Sequence, residues 1–173
     1  MMSKIVLIGG KHVQDHEFFY PKYRLSEETN FSVFVATPSG EECASNKGSI
    51  IKPQISIEGL IVEDYDALVI PGGALAIEYL RQNKALINVT RAFNEANKPI
   101  ASICQGAQIL ISAGVVRNRT VSGYYSIQLD IENAGGTYMD LPAVLDGNLC
   151  TTAHYKDMGP WMKEFVSLVN QSK

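Results

Sequence analysis

The stretch KPIASICQGAQILISAG, residues 98–114, determines the fold because it joins a buried strand to a helix within a few residues. Residues 99–103 are short and apolar, which is typical of a strand covered on both faces. A helical segment at 108–112 follows and ends at Gly114. Cys104 lies at the junction, where a sharp strand-to-helix turn projects a side chain beyond the edge of the sheet.

Other apolar runs repeat this alternation of strand and helix along the chain. Strands are predicted at 5–8, 31–36 and 67–70, and helices at about 15–28, 84–97 and 161–169. Additional, partly antiparallel strands are predicted within 48–57, around 143–145 and at 149–151, with a turn at Asp146-Gly147-Asn148. The order predicts one α/β domain over residues 1–173, built on a doubly wound, mostly parallel sheet with helices on both faces.

Composition excludes several classes of function. The 173 residues carry a net charge of −3, which argues against a nucleic-acid partner. No apolar run reaches the ~20 residues of a membrane span, and the start of the chain does not look like a signal peptide, so we expect no membrane partner and a cytoplasmic protein. Three scattered cysteines are too few for a disulfide framework or a zinc site, so we expect no metal.

Three segments are predicted to meet beyond the carboxyl ends of the strands, where such sheets bind ligands. They are Gly9-Gly10, Pro71-Gly72-Gly73 and Cys104-Gln105-Gly106. The N–H groups of the helix after Cys104 would favour a thiolate and lower the pKa of the thiol. The alternative is a buried cysteine that acts only as a small hydrophobic residue.

Several motifs resemble the ThiJ/PfpI superfamily, which includes the Parkinsonism-associated deglycase. They cover essentially the whole chain in order: Glu17-Phe18-Phe19-Tyr20-Pro21, Pro71-Gly72-Gly73, residues 98–104, residues 111–116, Asn133-Ala134-Gly135-Gly136, Asp146-Gly147-Asn148 and residues 161–165. The resemblance implies a flavodoxin-like, class I glutamine amidotransferase-like fold. It also implies a nucleophile-elbow cysteine and a homodimer or larger homo-oligomer.

The resemblance also assigns roles to individual residues. Cys104 takes the position of the nucleophile, and Glu17 takes that of the glutamate that hydrogen-bonds the sulfur. The backbone N–H groups at Gly72 and Gly73, together with Gln105, would form an oxyanion hole. The alternatives are a carboxylate that only complements a helix dipole at Glu17 and a simple tight turn at the two glycines.

The sequence departs from the family beside the nucleophile. Peptidase-like members have a histidine after the cysteine, whereas Gln105 cannot act as a base. Glu78 occupies roughly the place of the acidic residue that would orient that histidine, which makes it a pocket candidate; the alternative, with no histidine to orient, is a surface or interface carboxylate. Tyr124 keeps an aromatic hydroxyl near the pocket. Our hypothesis is that His154 lines the pocket and replaces the missing histidine; the alternative is an exposed loop residue.

The other two histidines, His12 and His16, lie near Glu17, and His16 is expected to face solvent. Three functions stay open. The first is a cofactor-independent, cysteine-dependent enzyme acting on small reactive aldehydes, of the glyoxalase or deglycase kind. The second is an intracellular cysteine peptidase or other hydrolase of the PfpI kind. The third is a non-enzymatic stress-response protein, either an oxidation sensor at Cys104 or a holdase chaperone.

Overall fold

A computed structural model describes residues 2–172, along which strands and helices alternate. The strands are β1 (Ser3–Ile8), β2 (Phe31–Thr37), β3 (Cys43–Ala44), β4 (Ile50–Ile51), β5 (Ile55–Ser56), β6 (Ala67–Ile70), β7 (Ile100–Ile103), β8 (Thr120–Val121), β9 (Thr137–Tyr138), β10 (Val144–Asp146) and β11 (Leu149–Thr152). The α-helices are α1 (Asp15–Ser26), α2 (Ala74–Leu80), α3 (Lys84–Glu95), α4 (Ala107–Ala113), α5 (Gln128–Asn133) and α6 (Met158–Gln171).

The main sheet is mixed but mostly parallel. Within residues 2–172 it has seven strands in the order β10-β11-β7-β6-β1-β2-β5, and only the pairing of β10 with β11 is antiparallel. The run β2-β1-β6-β7-β11 has the strand order of a flavodoxin-like sheet. The predicted doubly wound, mostly parallel α/β fold is confirmed.

Helices cover both faces of the central strands. Every residue of β6 and β7 is buried, and neighbouring residues of a strand point to opposite faces, so both faces are covered. Helix α1 packs on α6, and α3 packs on α4. The side chain of Trp161 anchors α6, because its buried indole N–H donates to the Cys150 carbonyl at 2.9 Å.

The predicted elements differ from the observed ones mainly in the short segments. Strand β4 pairs antiparallel with β3, whereas β5 adds a parallel edge beside β2. Tyr23, an aromatic residue of the first helix, is 61% exposed. Pro21 is buried on that helix instead. Helices α2 and α5 were not predicted, because seven and six residues are too few for a clear helical period.

No helix among residues 2–172 combines the length and the hydropathy that crossing a bilayer requires. In the same residues, no group of three or more His, Cys, Asp or Glu side chains is arranged to hold a metal ion. The prediction of one domain over residues 1–173 includes Met1 and Lys173, which lie outside the described residues, and it stays a prediction.

Candidate active site

A pocket opens at the carboxyl edge of the sheet, where β1, β6 and β7 end side by side. Parallel strands bring their following loops to one edge, so the β1–α1 loop, the turn after β6 and the turn after β7 meet there. The pocket has a volume of about 500 Å³. Its lining includes Glu17, Gly73, Cys104, Gln105, Tyr124 and His154.

Cys104 stands on a strained turn between β7 and α4. Its φ of 59° lies in the left-handed region, which a residue with a side chain rarely adopts. The tight approach of this turn to β6 requires Gly106, since an added Cβ there would lie 2.8 Å from the Ile70 carbonyl oxygen. Cys104 is 7% exposed and lines the pocket, so a small molecule has access to its sulfur.

Glu17 lies in the first turn of α1 and is 2% exposed. Its Oε2 accepts the Gly72 N–H at 2.9 Å, which fixes the carboxyl group at the turn after β6. A Cβ added at Gly72 would lie 2.6 Å from that oxygen and 2.9 Å from Cys104 Cβ. Gly72 is therefore the point at which the glutamate and the cysteine come together, and no larger residue fits.

Burial controls the protonation of both groups. It raises the pKa of Glu17 to about 7, although hydrogen bonds involving Cys104 and Gly72 oppose the rise. Burial, and then the negative charge of Glu17, raise the pKa of Cys104, while backbone N–H groups of Gln105 and Gly73 oppose this. The predicted lowering of the thiol pKa is therefore wrong in direction, because desolvation outweighs the few N–H groups that reach the sulfur.

The groups predicted for the oxyanion hole divide into two sets. The N–H groups of Gly73 and Gln105 lie close enough to the sulfur to oppose the rise in its pKa, so they are the donors available beside the reacting atom. Gly72 does not belong with them, since its N–H is already donated to Glu17. The Gln105 side chain also turns inward, and its Oε1 accepts a hydrogen bond from the Cys104 thiol at 3.1 Å.

His154 and Tyr124 lie at the pocket, whereas Glu78 does not. His154 Nδ1 accepts the Lys156 N–H at 3.2 Å, so the neutral ring carries its proton on Nε2 and offers a donor rather than a base. Tyr124 packs against that ring, with centroids 6.3 Å apart. Glu78 is exposed on α2 and is not part of the pocket lining, so its assignment as a pocket residue is wrong.

The sequence indicates that His12 lies near Glu17 but does not predict its place in the wall of the pocket. His12 has a φ of 64°, and its N–H donates to the Ala44 carbonyl at 3.0 Å. Tyr155, also missed, contacts His154 with ring centroids 4.0 Å apart. The strand β3, which holds His12 in place, is two residues long and carries no periodic signal in the sequence.

A flavodoxin-like sheet with a cysteine on a nucleophile elbow and a buried glutamate beside it defines a class of α/β proteins with a reactive-cysteine site. The model of the DJ-1/PfpI family matches residues 3–168, and the chain belongs to this family. It is 36% identical to the deglycase PfpI of Pyrococcus furiosus, over 96% of this chain and 99% of the relative. It is 30% identical to protein/nucleic acid deglycase 2 of Escherichia coli, over 91% of each chain.

Solved structures show the same fold. A two-domain protein from Anabaena variabilis, with DJ-1/ThiJ/PfpI-like and ferritin-like domains, superposes with a TM-score of 0.92 at 28% identity. The match covers 97% of this chain and 48% of that one. DJ-1 of Schizosaccharomyces pombe superposes with a TM-score of 0.84 at 20% identity, over 98% of this chain and 96% of that one. The resemblance to the ThiJ/PfpI superfamily is thus confirmed.

Proposed function

We propose that the protein is a cysteine-dependent enzyme acting on small reactive aldehydes and on the adducts they form, in the manner of a glyoxalase or deglycase. The observation that carries the proposal is the joint placement of Cys104 and Glu17 at one pocket, with Gly72 between them. A nucleophile and a proton acceptor in contact are the two groups that carbonyl addition needs. No cofactor enters the chemistry below.

The reaction with methylglyoxal illustrates the chemistry. Glu17 accepts the thiol proton while Cys104 Sγ adds to the aldehyde carbon, whose oxygen takes a proton to give a hemithioacetal. Glu17 then moves the proton on that carbon to the neighbouring keto carbon while the hydroxyl proton passes to the keto oxygen, which converts the hemithioacetal into a thioester of lactate. Water hydrolyses the thioester, releasing lactate and the free thiol, so one methylglyoxal and one water give one lactic acid.

The electrostatics of the site suit these steps. A carboxyl group with a pKa near 7 is poised to accept and return protons at neutral pH. The N–H groups of Gly73 and Gln105 supply donors for the charge that develops on the carbonyl oxygen. The names of the relatives from P. furiosus and E. coli support the same activity.

Peptide hydrolysis is the weaker alternative, although the name of a Bacillus subtilis relative 31% identical to the chain contains the words cysteine protease. Both reactions end in the hydrolysis of a thioester, but a peptidase must also expel an amine from an amide, with a histidine that passes the thiol proton to it. Gln105 occupies the position after the nucleophile, and the histidine at the pocket offers its Nε2–H as a donor. The site therefore favours aldehydes and their carbinolamine adducts, in which the carbon–nitrogen bond breaks as the carbonyl forms again and the free amine leaves, so no amide has to be cleaved.

The test is incubation with methylglyoxal and measurement of lactate. The wild-type protein is expected to form lactate, whereas Cys104→Ser, which keeps the size of the side chain, forms none. The variant Cys150→Ser is the matched control, because it removes a buried cysteine outside this pocket and is expected to keep the activity. Casein hydrolysis without lactate formation would contradict the proposal and favour the peptidase.

Homo-oligomer formation and a cytoplasmic location stay predictions. An exposed aromatic face on α1 supports self-association, since Tyr23 is 61% exposed and stacks on Phe19 with ring centroids 6.1 Å apart. Light scattering coupled to size-exclusion chromatography tests this directly. A dimer or larger species that Tyr23→Lys converts to monomer would support it, and a wild-type monomer at all concentrations would contradict it.

A further inference from the structure

A second, larger cavity adjoins the active-site pocket. It has a volume of about 680 Å³ and lies between the β1–α1 loop, the segment after β2 and helix α2. We call it the distal pocket and define it by Lys11, His12, Glu41, Cys43, Tyr79 and Leu80. The reaction proposed above uses none of its side chains.

The two cavities lie side by side. His12 lines both of them, so this one residue belongs to the wall of each. Helix α2 runs along both, with Ala74 and Leu75 at the active-site pocket and Tyr79 at the distal pocket. A molecule whose reactive carbon lies at Cys104 would therefore enter the distal pocket if it were long enough to pass the His12 ring.

His12 is held in place at this junction. Its backbone adopts a left-handed conformation with φ of 64°, and its N–H is fixed on the Ala44 carbonyl of β3. Two residues later, the Gln14 N–H donates to the Gly72 carbonyl at 3.1 Å. Strain of this kind in a pinned loop is common at ligand sites, where it aims one side chain. Here it sets the His12 ring between the two cavities, 6.4 Å from that of Tyr79.

Charges of both signs border the distal pocket. Lys11 supplies an ammonium group that is close enough to Cys43 to oppose the rise in its thiol pKa caused by burial. Glu41 and Glu42 supply carboxylates on the opposite segment, and Glu42 has a partner outside the pocket in Lys52, at 3.8 Å. A simple cation would be repelled by the Lys11 ammonium, and a simple anion would be repelled by the two carboxylates. A zwitterion, which carries both charges, matches both sides.

We propose that the distal pocket binds the zwitterionic head group of a free amino acid whose side chain carries the aldehyde adduct. This proposal rests on the aldehyde chemistry at Cys104. Lys11 would face the α-carboxylate and Glu41 the α-ammonium, while the stem of the substrate passes His12. The enzyme would then prefer adducts of free amino acids to the same adducts within a protein chain, whose backbone has neither charge.

The substrates themselves supply the matched comparison. Freshly formed methylglyoxal adducts of arginine and of Nα-acetylarginine amide share the reactive group, but only the first has a zwitterionic head. We expect kcat/KM to be about three- to tenfold higher for the arginine adduct, as two solvent-exposed ion pairs allow. In Lys11→Met and Glu41→Gln this ratio should fall towards one. Lys163→Met, on the exposed side of α6, should keep the wild-type ratio.

A binding measurement separates this inference from the proposed reaction. Arginine is titrated into isotope-labelled Cys104→Ser protein, and amide shifts are followed by NMR. Shifts centred on residues 11–12 and 41–43 that Nα-acetylarginine amide does not cause would support the distal pocket. Equal kcat/KM for the two adducts, or no arginine-dependent shifts there, would overturn it. If the wild-type protein converts neither adduct and also forms no lactate from methylglyoxal, the aldehyde chemistry fails, and the titration still decides whether the pocket binds the head group.

Discussion

Replacing Glu17 with Gln should change the way in which stability depends on pH. The side chain keeps its size and an oxygen that can accept the Gly72 N–H, but it cannot ionise. In the wild-type protein, burial raises the carboxyl pKa from 4.5 to about 7, so the folded state holds this proton more tightly than the unfolded state. The associated stability is complete below the unfolded pKa of 4.5 and is lost as pH rises through about 7.

The expected magnitude follows from those two pKa values. Between pH 5 and pH 8 the wild-type protein should lose about 2.5 kcal/mol of unfolding free energy relative to Glu17→Gln. For a chain of this length, that corresponds to roughly 5–10 °C in the difference between the two Tm values. Thermal unfolding followed by circular dichroism at several pH values measures it.

The control is Glu78→Gln, which removes an exposed carboxyl on α2. Its Tm difference from the wild-type protein should stay constant over the same pH range. The reasoning would be refuted if Glu17→Gln behaved like the control. It would also be refuted if the wild-type protein gained stability relative to Glu17→Gln as pH rose, since that would mean a carboxylate stabilised in its charged form.

Two further substitutions test the packing of the protein, and a third tests the role of a pocket residue. Gly106→Ala should destabilise the protein by about 1–3 kcal/mol in urea unfolding, because its Cβ would meet the Ile70 and Pro71 carbonyl oxygens; an unchanged midpoint would contradict this. Trp161→Phe should lower the free energy of unfolding by about 1–3 kcal/mol in the same assay, because the buried Cys150 carbonyl loses its indole donor. A loss below about 0.5 kcal/mol would contradict this, since it would mean that water replaces the indole hydrogen bond at about the same strength. His154→Ala should lower kcat for methylglyoxal with little change in unfolding free energy, and unchanged turnover would remove it from the site.

The central strands and the position of the cysteine could be predicted because their signals are local. Short apolar runs such as residues 67–70 are buried on both faces, and a strand that runs directly into a helix places Cys104 at the sheet edge. Glu17 was found through the family resemblance. Glu17 and Gly72 are 55 residues apart in the sequence, and a contact over that distance cannot be predicted from the local pattern of apolar residues.

The features that could not be predicted depend on the assembled fold. The direction of the Cys104 pKa shift depends on how deeply the thiol is buried and on the neighbouring charge of Glu17. Neither can be predicted from the position of the cysteine in the sequence. Gly72 was assigned to the oxyanion hole because the sequence predicts the turn. The sequence does not predict that Glu17 on α1 accepts the N–H of Gly72. The place of His12 in the pocket wall depends on the two-residue strand β3, which is too short for a pattern.

The pH dependence of kcat/KM for methylglyoxal tests most directly whether Glu17 is the base that activates Cys104. In the wild-type protein the rate should rise with pH and level off with an apparent pKa of about 7, the value for the buried carboxyl. In Glu17→Gln that rise should disappear and the rate should fall by about 10²-fold or more, which is the range of general acid–base catalysis. A variant with the same pH profile and a comparable rate would contradict the pairing of these two side chains.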